Sequence, residues 1–278
     1  MDRRRTLTFS QAAGRVEPVH VVATHYAPGA GEAMAGGLAE ALGSTLYEAR
    51  ARLSDPEGGP AVVGNFAEIE PAWAFAGRLR ANGIQPILLS PADIESDARR
   101  FLVRSFHLGD RGISAESRRG ETAELAYREI QVVLRGVRIE ERTEIKHTEQ
   151  RKFSATRALA TGGLVLTKTT RTSTPVTTEE REEFLHVYAG GGSVLVFRSG
   201  ALNYRSLGPA LRPSTAANFA YLVETLRGAL PQARYDERLA NRQGRARILG
   251  PSLTENLDVA VTLLARVLRP GGGKSSYG

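Results

Sequence analysis

Phe184-Leu185-His186-Val187-Tyr188-Ala189-Gly190-Gly191-Gly192-Ser193-Val194-Leu195-Val196-Phe197-Arg198 is the stretch whose reading decides the fold. Two apolar runs rich in β-branched and aromatic residues, joined by consecutive glycines, read as a β-hairpin. Glycine takes the left-handed turn conformations without steric cost. Upstream, from Phe101, short alternating segments separated by glycine turns continue the same pattern. Residues 101–108, 112–118, 122–127 and 130–142 are successive strands, with Gly109-Asp110-Arg111-Gly112 and Arg119-Gly120 as turns. Residues 140–151 are highly charged and read as a loop or a strand extension. Residues 159–169 read as a further strand bent at Gly162-Gly163. Residues 170–178, interrupted by Pro175, read as a mobile surface loop, and 179–183 as a solvated acidic run.

Downstream of the hairpin, 203–207 is a candidate edge strand. Pro213-Ser214-Thr215 then opens a helix through Arg227, capped by Ser214 and carrying Phe219, Leu222, Val223 and Leu226 on one face. Residues 234–247 read as a basic connector, 254–268 as a last helix and 269–278 as a glycine-rich tail. Over about 101–230, several strands closed by one helix make an element order that resembles the pleckstrin-homology or GRAM-like barrel. The resemblance lies in element order alone and carries no site residue with it.

The N-terminal third has a different rhythm. Val19 and the run 20–26, bounded by Pro18 and Pro28-Gly29, read as a buried strand. Met34, Leu38, Ala41, Leu42, Leu46 and Ala49 recur at three- and four-residue steps, which predicts a helix over 32–52, weakened by Gly36, Gly37 and Gly43. Residues 60–66 are a second strand. Pro71 opens a second helix whose buried side is Trp73, Phe75, Ala76 and Leu79. Asn82-Gly83 ends that helix and 84–89 is a third strand. The order β-α-β-α-β predicts a ferredoxin-like or small α/β unit. The expected class is therefore α+β: a mobile basic arm over 1–16, an α/β domain over 17–95, a mainly antiparallel β domain closed by a helix over 96–250, and a terminal helix with a disordered tail over 251–278.

Composition narrows the chemistry. With 278 residues the chain is long enough for two domains, and without cysteine it has no thiol nucleophile, disulfide, iron–sulfur cluster or cysteine-held zinc. No stretch of about 18 consecutive apolar residues occurs, and Arg3-Arg4-Arg5 lacks the apolar run of an export signal, so the expected location is cytoplasmic. The net charge of +7 makes nucleic acid or another polyanion a candidate partner. Only Lys146, Lys152, Lys168 and Lys274 are lysines, however, and such arginine bias is also what GC-rich bacterial coding produces.

Motifs for catalysis are sparse. The five histidines never stand at the i, i+4 spacing of a helical zinc site, and no Gly-x-Ser-x-Gly elbow is present. Gly271-Gly272-Gly273-Lys274-Ser275 imitates a phosphate-binding loop but has Leu268 where that loop needs glycine. No catalytic residue, cofactor or metal is expected. Gly29-Ala30-Gly31 stands between a strand and a helix, where backbone N–H groups hold phosphates, and His25 and Tyr26 end the same strand. These four positions, His25, Tyr26, Gly29 and Gly31, form a candidate ligand site. Two basic clusters supply candidate nucleic-acid or anion contacts, Arg99, Arg100 and Arg104 in one and Arg242, Arg245 and Arg247 in the other.

The resulting expectation is a non-catalytic regulatory or scaffolding protein that binds a protein or a small ligand, with a homo-oligomer as an open option. The alternatives are a nucleic-acid-binding protein using the arginines, or a nucleotide-dependent sensor or enzyme built on the first α/β unit.

Overall fold

The structure, a computed structural model, describes residues 19–153, 167–253 and 256–269, with side chains placed for 19–139, 179–253 and 256–269. By its contacts the chain divides into two units, Glu17–Arg138 with Glu182–Gly278, and Met1–Val16 with Ile139–Arg181. The architecture is α+β, with a small sheet of three strands, a larger mainly antiparallel sheet of seven, and a C-terminal helix.

The small sheet begins with β1 (His20–Thr24), whose β-branched residues suit a pleated, fully covered strand, and four of its five residues are buried. It is followed by α1 (Gly31–Leu42), α2 (Leu46–Arg52), β2 (Ala61–Phe66), α3 (Ile69–Ala81) and β3 (Pro86–Leu89). The strand order is β2-β1-β3, and both neighbours run antiparallel to β1. The helix expected over 32–52 is thus two helices. Gly43 adopts a left-handed conformation (φ 63°) that stops α1, and Thr45 starts α2 with a reciprocal capping box to Glu48. Trp73 is a correction: Ala72, Phe75, Ala76 and Leu79 form the inward stripe of α3, and Trp73, one step off it, is exposed.

The larger sheet holds β4 (Phe101–Leu108), β5 (Gly112–Ser117), β6 (Thr122–Ala126), β7 (Ile130–Phe153), β8 (Thr167–Ala189), β9 (Val194–Arg198) and β10 (Arg234–Leu239), in the order β10-β7-β8-β9-β4-β5-β6. The β8–β9 hairpin forms as expected, with Leu185 opposite Phe197 and Val187 opposite Leu195. Among the described residues β4 pairs with β9 and β10 with β7 in parallel. Residues 140–151 extend β7, and 170–178 are strand β8, where a loop was expected. Residues 203–207 make a single bridge, Asn203 to Ser105, before a 3-10 turn. The connector expected over 234–247 is in fact β10 followed by the helix α5 (Arg242–Leu249), after α4 (Thr215–Ala229) and before α6 (Leu257–Leu268). The expectations for 1–16, 159–166 and 270–278 fall outside the described residues.

Strand periodicity explains the core. Alternate residues of a strand face opposite sides of the sheet, and β8 is covered on both. Leu185 and Val187 join Phe219, Leu222, Val223 and Leu226 of α4 on one side. Phe184 and Tyr188 join Val259, Leu263 and Leu264 of α6 on the other, together with Val21, Ala23 and Leu89 of the small sheet. Each large apolar side chain so enclosed contributes about 2 kcal/mol. The shared cluster packs the segments 17–95 and 96–250 against each other. Arg52 adds a polar tie: its guanidinium donates to Val62 O, Arg247 O and Ile248 O, each at 2.5 Å, closing the C-terminal end of α5.

Candidate functional site

Ser90 to Arg100 connects β3 to β4 and supplies acidic groups to the face of the large sheet that packs on α6. A tight turn sets its start, with Ser90 N and Oγ both donating to Asp93 Oδ2 at 2.8 and 2.7 Å. Glu95 N donates to Thr262 Oγ1 at 3.0 Å, which fastens the segment to α6.

Behind that segment lies a cluster of ion pairs. Arg100, whose side chain is 1% exposed, donates to Asp258 Oδ1 at 2.9 Å, Asp97 Oδ1 at 3.2 Å and Glu95 O at 2.8 Å. Asp97 Oδ2 accepts from Arg138 at 2.9 Å and also from Arg198. The three arginines come from β4's entry, β7 and β9, so one aspartate ties three separate segments together. Buried charges are tolerated because each finds an opposite charge and further donors.

On β8, His186 and Tyr188 face this cluster two residues apart. Tyr188 Oη donates to Glu95 Oε2 at 3.2 Å, and His186 Nδ1 lies 3.4 Å from Tyr188 Oη. With the hydroxyl proton committed to Glu95, His186 Nδ1 is the donor of that second contact. Burial, reinforced by the Arg100 and Arg138 charges, holds the His186 imidazole well below its ordinary pKa and therefore neutral. Burial and the neighbouring Glu95 carboxylate push the Tyr188 phenol upward.

In front of the cluster is an open cleft of about 490 Å³. Asp93 and Glu95 form one wall, and Thr262 and Arg266 of α6 with Arg269 just after it a second. The third is the bare backbone of Gly190–Gly192 beside Gln131. Gly191 and Gly192 hold φ of 80° and 91°, a conformation that disfavours any other residue, and no atom lies within 4 Å of where their side chains would start. Arg269 lies over the Tyr188 ring, 5.0 Å from its centroid, and reaches Glu95 Oε1 at 3.4 Å. Arg266 reaches Leu88 O at 3.4 Å.

The residues singled out from sequence fall elsewhere. Tyr26 is buried, its hydroxyl accepting from Asp55 N at 3.2 Å, and Gly31 is packed against the backbone of Leu53. His25 is exposed with Nδ1 3.2 Å from Gly59 O, and Gly29 is a left-handed turn residue (φ 78°) in open space. Among the arginines, Arg100 and Arg245 are buried, Arg99 donates to Ala92 O, Arg104 and Arg242 are exposed, and Arg247 is half-buried. Two of the six are therefore withdrawn from any polyanion at the surface.

Sequence reading missed Glu95, Arg266 and Arg269. The one signal for them was the i, i+3 pair of arginines ending the last apolar helix. Among the described residues no three His, Asp or Glu gather as metal ligands, and no helix is long and apolar enough to cross a membrane. No family model, curated protein or solved structure matches this chain.

Proposed function

We propose that this chain is a non-catalytic regulatory or scaffolding protein that works by binding a protein partner, with the outer parts of β7 and β8 as its binding arm. The observation that carries this reading is the length of the two strands, 24 and 23 residues, against about 5–6 for an ordinary strand. By contact Ile139–Arg181 group with Met1–Val16, in a unit separate from Glu17–Arg138 and Glu182–Gly278.

Their sequence fits that role. Within the strand segments 139–153 and 167–181 the large apolar residues are Ile139, Ile145, Phe153 and Val176, few for thirty ordered positions. Ordering a residue costs about 1–2 kcal/mol, and so polar a segment offsets little of that by its own burial. A partner laid along it supplies the missing burial. Lys146, Lys152 and Lys168, three of the chain's four lysines, fall in these strands, and lysine on strands discourages indiscriminate pairing.

The other unit supports binding over catalysis. Thr262 Oγ1, at the cleft, is engaged by Asp258 O and Glu95 N, and the nearby His186 imidazole is neutral and enclosed behind Tyr188. A deletion tests the reading: residues 139–181 are replaced by a short glycine turn, and gently purified full-length and deleted proteins are compared by native mass spectrometry and thermal melting. The expected result is an unchanged melting transition together with loss of the higher-mass assemblies of the full chain. Assemblies that persist without the segment, or a full chain that is bare throughout, would overturn it.

A further inference from the structure

We infer that the cleft between Asp93, Gly191 and Arg266 is a binding site for a small zwitterion of the amino-acid type, its carboxylate received by Arg266 and Arg269 and its ammonium by Glu95 and Asp93. The inference is independent of the binding arm.

Charge balance selects the ligand class. The four ionisable groups on the walls are two arginines and two carboxylates, with the cations at the C-terminal end of α6 and the carboxylates on the segment after β3. A simple anion such as phosphate meets repulsion from Asp93 and Glu95, and a simple cation meets it from the arginines. A molecule carrying both charges a few ångströms apart meets neither.

A guanidinium carries five N–H groups, and the contacts of the cleft arginines engage only part of them. Arg266 donates to Leu88 O at 3.4 Å, whereas Arg269 donates through Nε to Ala265 O at 3.0 Å and reaches Glu95 Oε1 with a terminal nitrogen at 3.4 Å, the outer limit of a hydrogen bond. The ion pairs behind them close at 2.9 Å, Arg100 to Asp258 and Arg138 to Asp97. A carboxylate offers Arg266, and the terminal nitrogen of Arg269, a shorter, charge-assisted acceptor than Leu88 O or Glu95 Oε1. Arg269 is already oriented by the Tyr188 ring beneath it, which lowers the cost of ordering on binding.

The glycine turn makes room. Gly190–Gly192 bring backbone amides to the cleft with no side chain in the way, and Gln131 adds a neutral amide beside Gly190. A volume of about 490 Å³ leaves space for a side chain beyond the ammonium and carboxylate.

Isothermal calorimetry on the full chain tests this, using the twenty common amino acids, their des-amino and amide analogues, and inorganic phosphate. At least one amino acid is expected to bind saturably, at least tenfold tighter than its des-amino and amide analogues and than phosphate. Arg266→Gln is expected to weaken it about tenfold with an unchanged melting temperature, and Arg266→Lys to restore part of the loss. Should Arg266→Gln lower the melting temperature, the analogue comparison on the unaltered protein decides. The inference fails if no amino acid binds below about 10 mM, or if phosphate or a monocarboxylate binds as well as the best amino acid.

Discussion

Arg100 and Asp258 stand 158 residues apart in the chain and meet in a 2.9 Å hydrogen bond, with the arginine side chain almost fully enclosed. One residue enters β4 and the other opens α6, so this contact, with Asp97 and Glu95 around it, joins the sheet to the terminal helix. Of these residues Glu95 also lines the cleft.

Arg100→Ala takes the shared cation from Asp97 and Asp258, but both carboxylates are partly exposed and Asp97 keeps Arg138 and Arg198, so the expected cost is that of lost charged hydrogen bonds, about 2 kcal/mol. Urea unfolding is expected to show that loss as a lower midpoint. Asp258→Asn is expected to cost about 1 kcal/mol, because the Asp258 carboxylate is about one-third exposed. Equal effects from the two substitutions would mean that Arg100 does not anchor the cluster.

His186 gives the protein a signed pH dependence. Its folded pKa lies well below the unfolded value of about 6.5, through burial and then the Arg100 and Arg138 charges. The unfolded chain therefore takes up a proton that the folded one refuses, and stability falls as pH drops below about 6.5, by up to ~1.4 kcal/mol per pH unit. Urea midpoints between pH 7.5 and 5 should decline in the unaltered protein and less steeply in His186→Gln. Parallel profiles would show that His186 is not the group responsible.

The helix glycines divide by what surrounds them. A side chain at Gly36 or Gly77 enters open space, so Gly36→Ala and Gly77→Ala are expected to stabilise by about 0.5–1 kcal/mol each. At Gly37 it meets Asn82 O at 2.7 Å, and at Gly31 the backbone of Leu53, so Gly37→Ala and Gly31→Ala should lower the melting temperature. A neutral Gly31→Ala would return Gly29-Ala30-Gly31 to the role of an open ligand loop.

Local pattern carried much of the architecture. The apolar runs around Gly190–Gly192 form the hairpin they predict, and Phe219, Leu222, Val223 and Leu226 face the sheet as their spacing requires. Ser214 caps its helix by accepting from Ala217 N at 3.2 Å. Trp73 departs from the expectation because hydrophobicity alone does not decide burial: the helical period assigns the inward face to Ala72, Phe75 and Ala76. Residues 234–247, a basic connector by composition, form a strand and a helix, and arginine content alone does not reveal that some of these side chains are buried. Arg238 is instead enclosed by Asp236 at 2.7 Å and Asp55 at 3.5 Å, and only the fold brings Asp55 to it.

What the sequence by itself determined is the set of faces: which side of each strand and helix is apolar, where glycine and capping residues stop them, and hence an α+β chain. Those are effects of neighbours within about four residues. Tertiary structure decided which faces meet, that β10 pairs in parallel with β7, and that Glu95, Arg266 and Arg269 gather at one cleft. Charges that pair across 158 or 174 residues leave no periodic trace, because their proximity depends on the path of every element between them.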